Sequence, residues 1–152
     1  MTAKVIKIII GDQSILLDRK DLKGVDLSNL RISSNGYAML GKELLHRVIL
    51  QPPEDMKVDH RNKNPLDCRR QNLRICTTSE NAMNRGKTRD NSTGYKGVNL
   101  DKRRKRKKYR ARITANGKTY FLGSYKKPET AGMAYKEASK KYHGKFARVS
   151  DP

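Results

Sequence analysis

Short apolar runs punctuated by turn residues open the chain. Val5–Ile10 is rich in β-branched residues, Gly11-Asp12-Gln13 is a turn signal and Ser14–Leu17 is apolar again, which predicts a β-hairpin. Residues 18–30 mix charged with Leu and Val positions without a clean period and are expected to be irregular. Arg31–Ser33 and Tyr37–Leu40 flank Asn35-Gly36, a strong turn dipeptide, so a second hairpin is expected. Glu43–Leu50 is short and apolar, open between strand and helix, and Gln51-Pro52-Pro53-Glu54 breaks regular structure after it. Lys57–His60 and Leu73–Cys76 then read as short strands around a loop broken by Pro65. Thr77-Thr78-Ser79-Glu80 fits a capping box, predicting a helix to about Asn84 or Arg85 with Gly86 as its C-terminal stop.

The pattern becomes regular further on. Tyr95–Leu100 reads as a strand and Asp101–Lys107 as a charged loop. Lys108–Thr114 alternates strictly, with Tyr109, Ala111 and Ile113 on one face and Lys108, Arg110 and Arg112 on the other. A tight turn at Ala115-Asn116-Gly117 leads into a third strand, Lys118–Tyr125. Pro128 suits the first turn of a helix, whose apolar stripe is Ala131, Ala134/Tyr135, Ala138 and Tyr142, and His143-Gly144 ends it. This predicts a three-stranded antiparallel sheet with one helix on its apolar face. Residues 86–93 are polar without an apolar anchor and are the best candidate linker.

Composition adds a partner. Of 152 residues only 35% are hydrophobic and 33% are charged, so any core is small, and the net charge of +20 points to a polyanion. Residues 1–91 hold 17 Lys and Arg against 11 Asp and Glu, whereas residues 92–152 hold 18 against 4, so the second part is expected to be the main nucleic-acid grip. A membrane is the competing polyanion, but there is no long apolar run and no charged-then-apolar leader, so an intracellular, cytoplasmic, soluble protein is expected. Cys68 and Cys76 are too few for structural zinc and are read as reduced thiols in or near a small core.

The candidate chemistry lies between Val58 and Asn84. Cleaving a phosphodiester needs a nucleophilic water and charge to meet the developing phosphate. An imidazole titrating near neutrality takes the water's proton, and one hard divalent ion on oxygen ligands supplies the rest. His60 is the candidate base. Asp59 offers a carboxylate and Asn81, on the following helix, an amide oxygen; so few protein ligands suit one Mg²⁺ or Mn²⁺ ion. Adjacent residues on a strand face opposite ways, so the pair needs a bulge or a strand end to act together. Asn72 is expected to bond the loop backbone and fix the loop that aims His60. His46 sits between apolar neighbours and is read as supporting structure. A lone Asp-His pair is more often a surface pair than a site, and spacing alone leaves both readings open.

The run VDHRNKNPLDCRRQNLR…SENAMN, preceded by Leu45-His46-Arg47, resembles the HNH (ββα-metal) endonucleases, specifically the phage-type homing branch, over roughly residues 30–90. The resemblance implies Asp59 and Asn81 as metal ligands, His60 as general base, Asn72 as the loop-holding Asn and Asn84 as a supporting polar position. In this branch Asn stands where other members use His.

On the predicted sheet, Arg110 and Arg112 point away from the core together with Thr119 and Phe121, with Lys96 and Lys118 flanking. Such a ribbon fits the major groove, where Arg reads guanine. The run holding Arg103, Arg104 and Arg106 is expected to track phosphates without reading sequence. Tyr95-Lys96-Gly97-Val98, Phe121-Leu122-Gly123-Ser124-Tyr125, the Ala131…Ala138 helix and Gly144 resemble the Apetala-type (ethylene-response-factor) DNA-binding domain over about 55 residues. That resemblance implies Lys96, Arg110, Arg112, Thr119 and Phe121 on a groove-facing sheet. Phe121 replaces the usual Trp, and Asn99 and Asp101 replace basic positions, so no sequence preference carries over.

The expected fold class is α+β, a small N-terminal ββα-metal nuclease domain (1–85), a linker (86–93) and a C-terminal sheet-and-helix DNA-binding domain (94–150). The expected function is a site-specific, metal-dependent endonuclease acting as a monomer on double-stranded DNA. Its rivals are a non-catalytic DNA-binding regulator with a relic HNH fold and a basic RNA-binding protein; a single outward aromatic argues against the latter.

Overall fold

The computed structural model describes residues 4–102 and 108–148. The chain divides after Thr77 into two compact units.

In the first unit, β1 (Val5–Ile10) pairs antiparallel with β2 (Gln13–Asp18), with Ile10 opposite Gln13 across a two-residue turn. Gly11 takes φ +61° there, a region that glycine enters without steric cost. A second antiparallel sheet joins β3 (Leu30–Ile32), β4 (Ala38–Leu40) and β5 (Glu43–Leu44). Helix α1 (Leu45–Leu50) follows at once, so the ambiguous apolar run is both strand and helix. It stops at Gln51, which turns left-handed (φ 45°) and donates its N–H to the Arg47 carbonyl, with Pro52 and Pro53 beyond. β6 (Lys57–His60) pairs antiparallel with β7 (Leu73–Cys76). Ile15, Leu17, Ala38, Leu45, Ile49, Cys68 and Leu73 form the core. Each large aliphatic side chain buried there contributes about 1.5–3 kcal/mol.

The N-terminal hairpin does more than fill this core. It holds the long connection between β6 and β7. Leu16 donates its N–H to the Leu66 carbonyl, and Cys68 donates to the Leu16 carbonyl, each at 2.9 Å. The Asp18 carboxylate accepts the Arg70 N–H at 2.9 Å, while the Arg70 guanidinium reaches Asp21 at 2.7 Å and the Ile49 carbonyl at 2.8 Å. Both cysteines are buried and form no disulfide; burial pushes the Cys68 thiol up to about 12.

In the second unit, α2 (Thr78–Met83) precedes a three-stranded antiparallel sheet, β8 (Val98–Asp101), β9 (Lys108–Ala115) and β10 (Lys118–Tyr125), with β9 central. Asn116 and Gly117 both take positive φ (50° and 75°), as a tight two-residue hairpin turn requires. Helix α3 (Pro128–His143) buries Ala131, Tyr135, Ser139 and His143, one residue per turn, and Ala131 packs with Val98 and Ala111 of the sheet. Gly97 is the tight point. Its φ is +70°, and a Cβ there would lie 2.2 Å from the Tyr135 ring and 2.5 Å from the Arg112 carbonyl.

Three expectations are corrected. The first strand of this sheet starts at Val98, not Tyr95, because Gly97 turns the chain left-handed and Asn91 and Thr93 bond the Tyr95 and Val98 carbonyls instead. The polar stretch expected as a linker is an ordered loop, since Asn91 also accepts the Gly94 N–H at 2.9 Å, and the compact units part after Thr77. Gly86 is not a left-handed stop; a Cβ there would meet the Arg148 guanidinium at 2.6 Å. Among the described residues no helix is long and apolar enough to cross a membrane.

Candidate active site and nucleic-acid interface

Asp59 and His60 end β6, and both are buried. Pairing is regular to the last residue, Asp59 opposite Arg74 and His60 opposite Leu73, so the pair uses a strand end and not a bulge. Successive side chains leave a strand on opposite sides, and the two find different neighbours.

His60 lies among aromatic rings. Its ring centroid is 5.0 Å from that of His46 at 85°, an edge-to-face contact, and 6.2 Å from Tyr37 at 54°. Tyr37 and His46 are 5.9 Å apart, which closes a three-ring cluster. His46 comes from α1 and is 5% exposed, and its Nδ1 has no hydrogen-bond partner among the described residues. Burial lowers its pKa to about 4, helped by the charges of His60 and Arg47. Burial also lowers the His60 pKa, against the pull of Asp59 and Asp67.

Asp59 lies between cations. The Arg74 guanidinium donates to Oδ2 from Nε at 2.8 Å and Nη2 at 2.6 Å, and the Lys63 ammonium stands 3.2 Å from Oδ1. Lys63 holds a left-handed backbone (φ 68°), uncommon for a residue with a side chain, in a turn closed by its N–H to the His60 carbonyl.

The loop that leaves His60 is locked from within. Asn72 accepts the Asn62 N–H at 3.0 Å through Oδ1 and donates from Nδ2 to the Asp67 carbonyl at 2.8 Å, and its own carbonyl accepts the Arg61 N–H at 2.8 Å. Asp67, 1% exposed, accepts from Arg69 at 2.7 and 2.6 Å and from Asn62 Nδ2 at 2.7 Å. The Arg69 guanidinium holds its carboxyl below the usual range. Tyr37, Arg74 and Asp67 were not singled out from the sequence. Arg74 was findable, since pairing the two short strands end to end sets it opposite Asp59; nothing in the sequence pattern marks the other two.

The donor set bears on which metal fits. Among the described residues no three His, Cys, Asp or Glu side chains gather as a metal centre, which is unlike a zinc site. A carboxylate such as Asp59 is a donor suited to a hard divalent cation. Arg74 anchors one Asp59 oxygen, and the other faces an ammonium that already stands in for cationic charge. Lys63 is partly exposed. Asn81 and Asn84 belong to the second unit, the first half-buried on α2 and the second buried just after it.

The second unit's sheet presents a basic outer face. Phe121 is 56% exposed, with the Arg110 guanidinium 5.3 Å from its ring centroid. Arg112 stands opposite Phe121, and the Thr119 and Thr114 hydroxyls share a hydrogen bond of 2.8 Å. Arg110 also lies 3.8 Å from Asp101. Lys96 is not on this face: it precedes β8, donates to the Met83 carbonyl at the end of α2, and lies 5.9 Å from the Tyr135 ring centroid. Arg103, Arg104 and Arg106 lie outside the described residues.

Residues 43–83, from β5 through α2, match the HNH endonuclease family. Protein 3.8 of Escherichia phage T7 is 32% identical over 96 residues, which is 63% of this chain and 77% of that protein. The uncharacterized HNH endonuclease L560 of Acanthamoeba polyphaga mimivirus is 30% identical over 125 residues, 76% of this chain and 63% of that protein, so the chain spans less than two thirds of that relative. No solved structure matches. The chain belongs to the family of T7 Protein 3.8, and its residues 43–83 match the HNH endonuclease family.

Proposed function

We propose that the protein is a divalent-metal-dependent DNA endonuclease in which His60 is the general base and the sheet of the second unit selects the target. The observation that carries this is the end of β6, where a buried imidazole packed against two rings stands next to a buried carboxylate held among cations, within the segment that matches the HNH family. Burial favours the uncharged imidazole, the form that takes a proton from water. His46 and Tyr37 wall the ring and restrict its rotamers, while Asn72 holds the loop that continues from it. Arg74 orients the Asp59 carboxylate as the proposed metal ligand. A bound Mg²⁺ or Mn²⁺ ion would supply positive charge to the phosphate.

Arg110, Arg112, Thr119 and Phe121 are the proposed DNA-reading residues. The exposed ring would otherwise sit in water, and the guanidinium beside it can stack on or bond to a base edge. A second reading, a non-catalytic DNA-binding protein, draws on the same Asp59 ion pairs, which occupy both carboxylate oxygens. Supercoiled plasmid incubated with the purified chain separates the two. Nicked or linear product with Mg²⁺ that disappears with EDTA is the expected result, and intact plasmid retarded in a gel at every metal concentration favours the second reading.

A further inference from the structure

A cleft of about 470 Å³ opens in the second unit at one edge of the sheet. The pairing of β8 with β9 begins at Val98 opposite Ala111, so the rest of β9 has no strand on that side. The gap is bridged by single contacts: Arg112 donates its N–H to the Gly97 carbonyl at 2.9 Å, and His143 Nε2 lies 3.0 Å from the Thr114 carbonyl. Among the described residues Arg85, Lys87, Lys96 and Arg112 line the space, and no carboxylate does. Concave walls of one sign concentrate field lines and draw in ions of the other. Arg85, Lys87 and Arg112 are exposed, and the Lys87 ammonium donates to the Gly94 carbonyl at 3.3 Å, one of its three protons. Lys96 is already committed to the Met83 carbonyl and braces the wall. Arg112 belongs both to the cleft and to the outer face of the sheet, so it joins the two surfaces.

We propose that this cleft seats the sugar-phosphate backbone of DNA where it runs off the edge of the sheet, with Arg85 and Lys87 each meeting a phosphate. The inference rests on the reading that the sheet face binds DNA, and it adds a second, sequence-blind contact beside the base-reading one. Neither Arg85 nor Lys87 lies on a strand, and neither belongs to the sheet's outer face.

The test is fluorescence anisotropy of a labelled duplex with the full chain, across a range of salt concentrations. Removing a side chain that neutralises one phosphate should flatten the slope of log affinity against log salt by about 0.9. The double variant R85Q/K87Q is expected to flatten it by about 2 and to leave preference between duplex sequences unchanged. K136Q/K141Q, which removes two exposed lysines from α3 outside the cleft, is expected to leave the slope as it is. Far-UV circular dichroism confirms that both variants are folded. A slope unchanged in R85Q/K87Q, or equally flattened in both variants, overturns the cleft proposal while DNA binding by the sheet stands. Failure of the wild-type chain to bind any duplex overturns the sheet reading, and the cleft proposal with it. Saturable binding of inorganic phosphate that R85Q/K87Q abolishes, with the DNA slope unchanged, makes the cleft a small-anion site and also overturns the proposal.

Discussion

Asn72→Ala separates a loop clamp from a residue that merely sits near the site. Asn72 is 6% exposed, and its side chain makes two hydrogen bonds within the loop. Truncation leaves the Asp67 carbonyl without its amide donor in a buried position, which costs about 1–3 kcal/mol. It also removes the acceptor of the half-buried Asn62 N–H, a net loss of about 0.5–1.5 kcal/mol. The sum, about 1.5–4.5 kcal/mol, is a large share of the stability of a small unit and should lower its Tm by roughly 6–36 °C. Asn72→Asp keeps the acceptor, loses the donor and sets a carboxylate against the Asp67 carbonyl, so it should be no more stable than the alanine variant. Because the lost Asn62 N–H bond lies two residues after His60, cleavage below the new Tm should lose kcat more than KM. Thermal denaturation followed by far-UV circular dichroism reads the first effect, and single-turnover cleavage the second. A stability change within about 0.5 kcal/mol, the range of ordinary surface substitutions, would refute the clamp.

Three further outcomes follow from the same geometry. His46 titrates near 4 when folded and 6.5 when unfolded, so its contribution is full above pH 6.5 and lost as pH falls towards 4, a difference of about 3 kcal/mol; urea denaturation at pH 7.5 and 4.5 should show this loss, and His46→Leu should reduce it, whereas an unchanged pH slope in the variant contradicts it. Gly97→Ala combines a left-handed φ with a Cβ inside the Tyr135 ring contact, and should cost about 2–5 kcal/mol by urea midpoint; a neutral result would mean that the loop before β8 gives way freely. Phe121→Ala and Arg110→Ala should weaken duplex binding and blur preference between sequences while leaving Tm unchanged, and a Tm loss without a binding loss would make the pair structural.

Much of the fold was legible because period and punctuation are local. The alternation of Tyr109, Ala111 and Ile113 against Arg110 and Arg112 is the pleat itself, and the turns at Gly11, Gly36 and Asn116-Gly117 follow from residues that tolerate positive φ. The site was half legible. Asp59, His60 and Asn72 carry a recognisable spacing, but the walls around them come from elsewhere: His46 from α1 and Tyr37 from the hairpin before it. No periodicity ties residue 37 or 46 to residue 60; only packing of separate elements does. The same holds for Lys96, whose place beside basic strand residues suggested the groove face, whereas Gly97 turns the chain first and sends the ammonium to the end of α2. The boundary at Thr77 was hidden because compactness belongs to contacts, and a polar stretch such as residues 86–93 is ordered once Asn91 and Thr93 bond the backbone around them.

In the proposed reaction His60 performs the proton transfer and other residues hold the DNA. His60→Ala separates the two roles, with Mg²⁺-dependent cleavage and duplex affinity measured on the same preparation. Loss of a general base should slow cleavage by about 10²–10⁴-fold while affinity stays at the wild-type value. Cleavage at the wild-type rate, or an affinity loss that accounts for the whole effect, would contradict it.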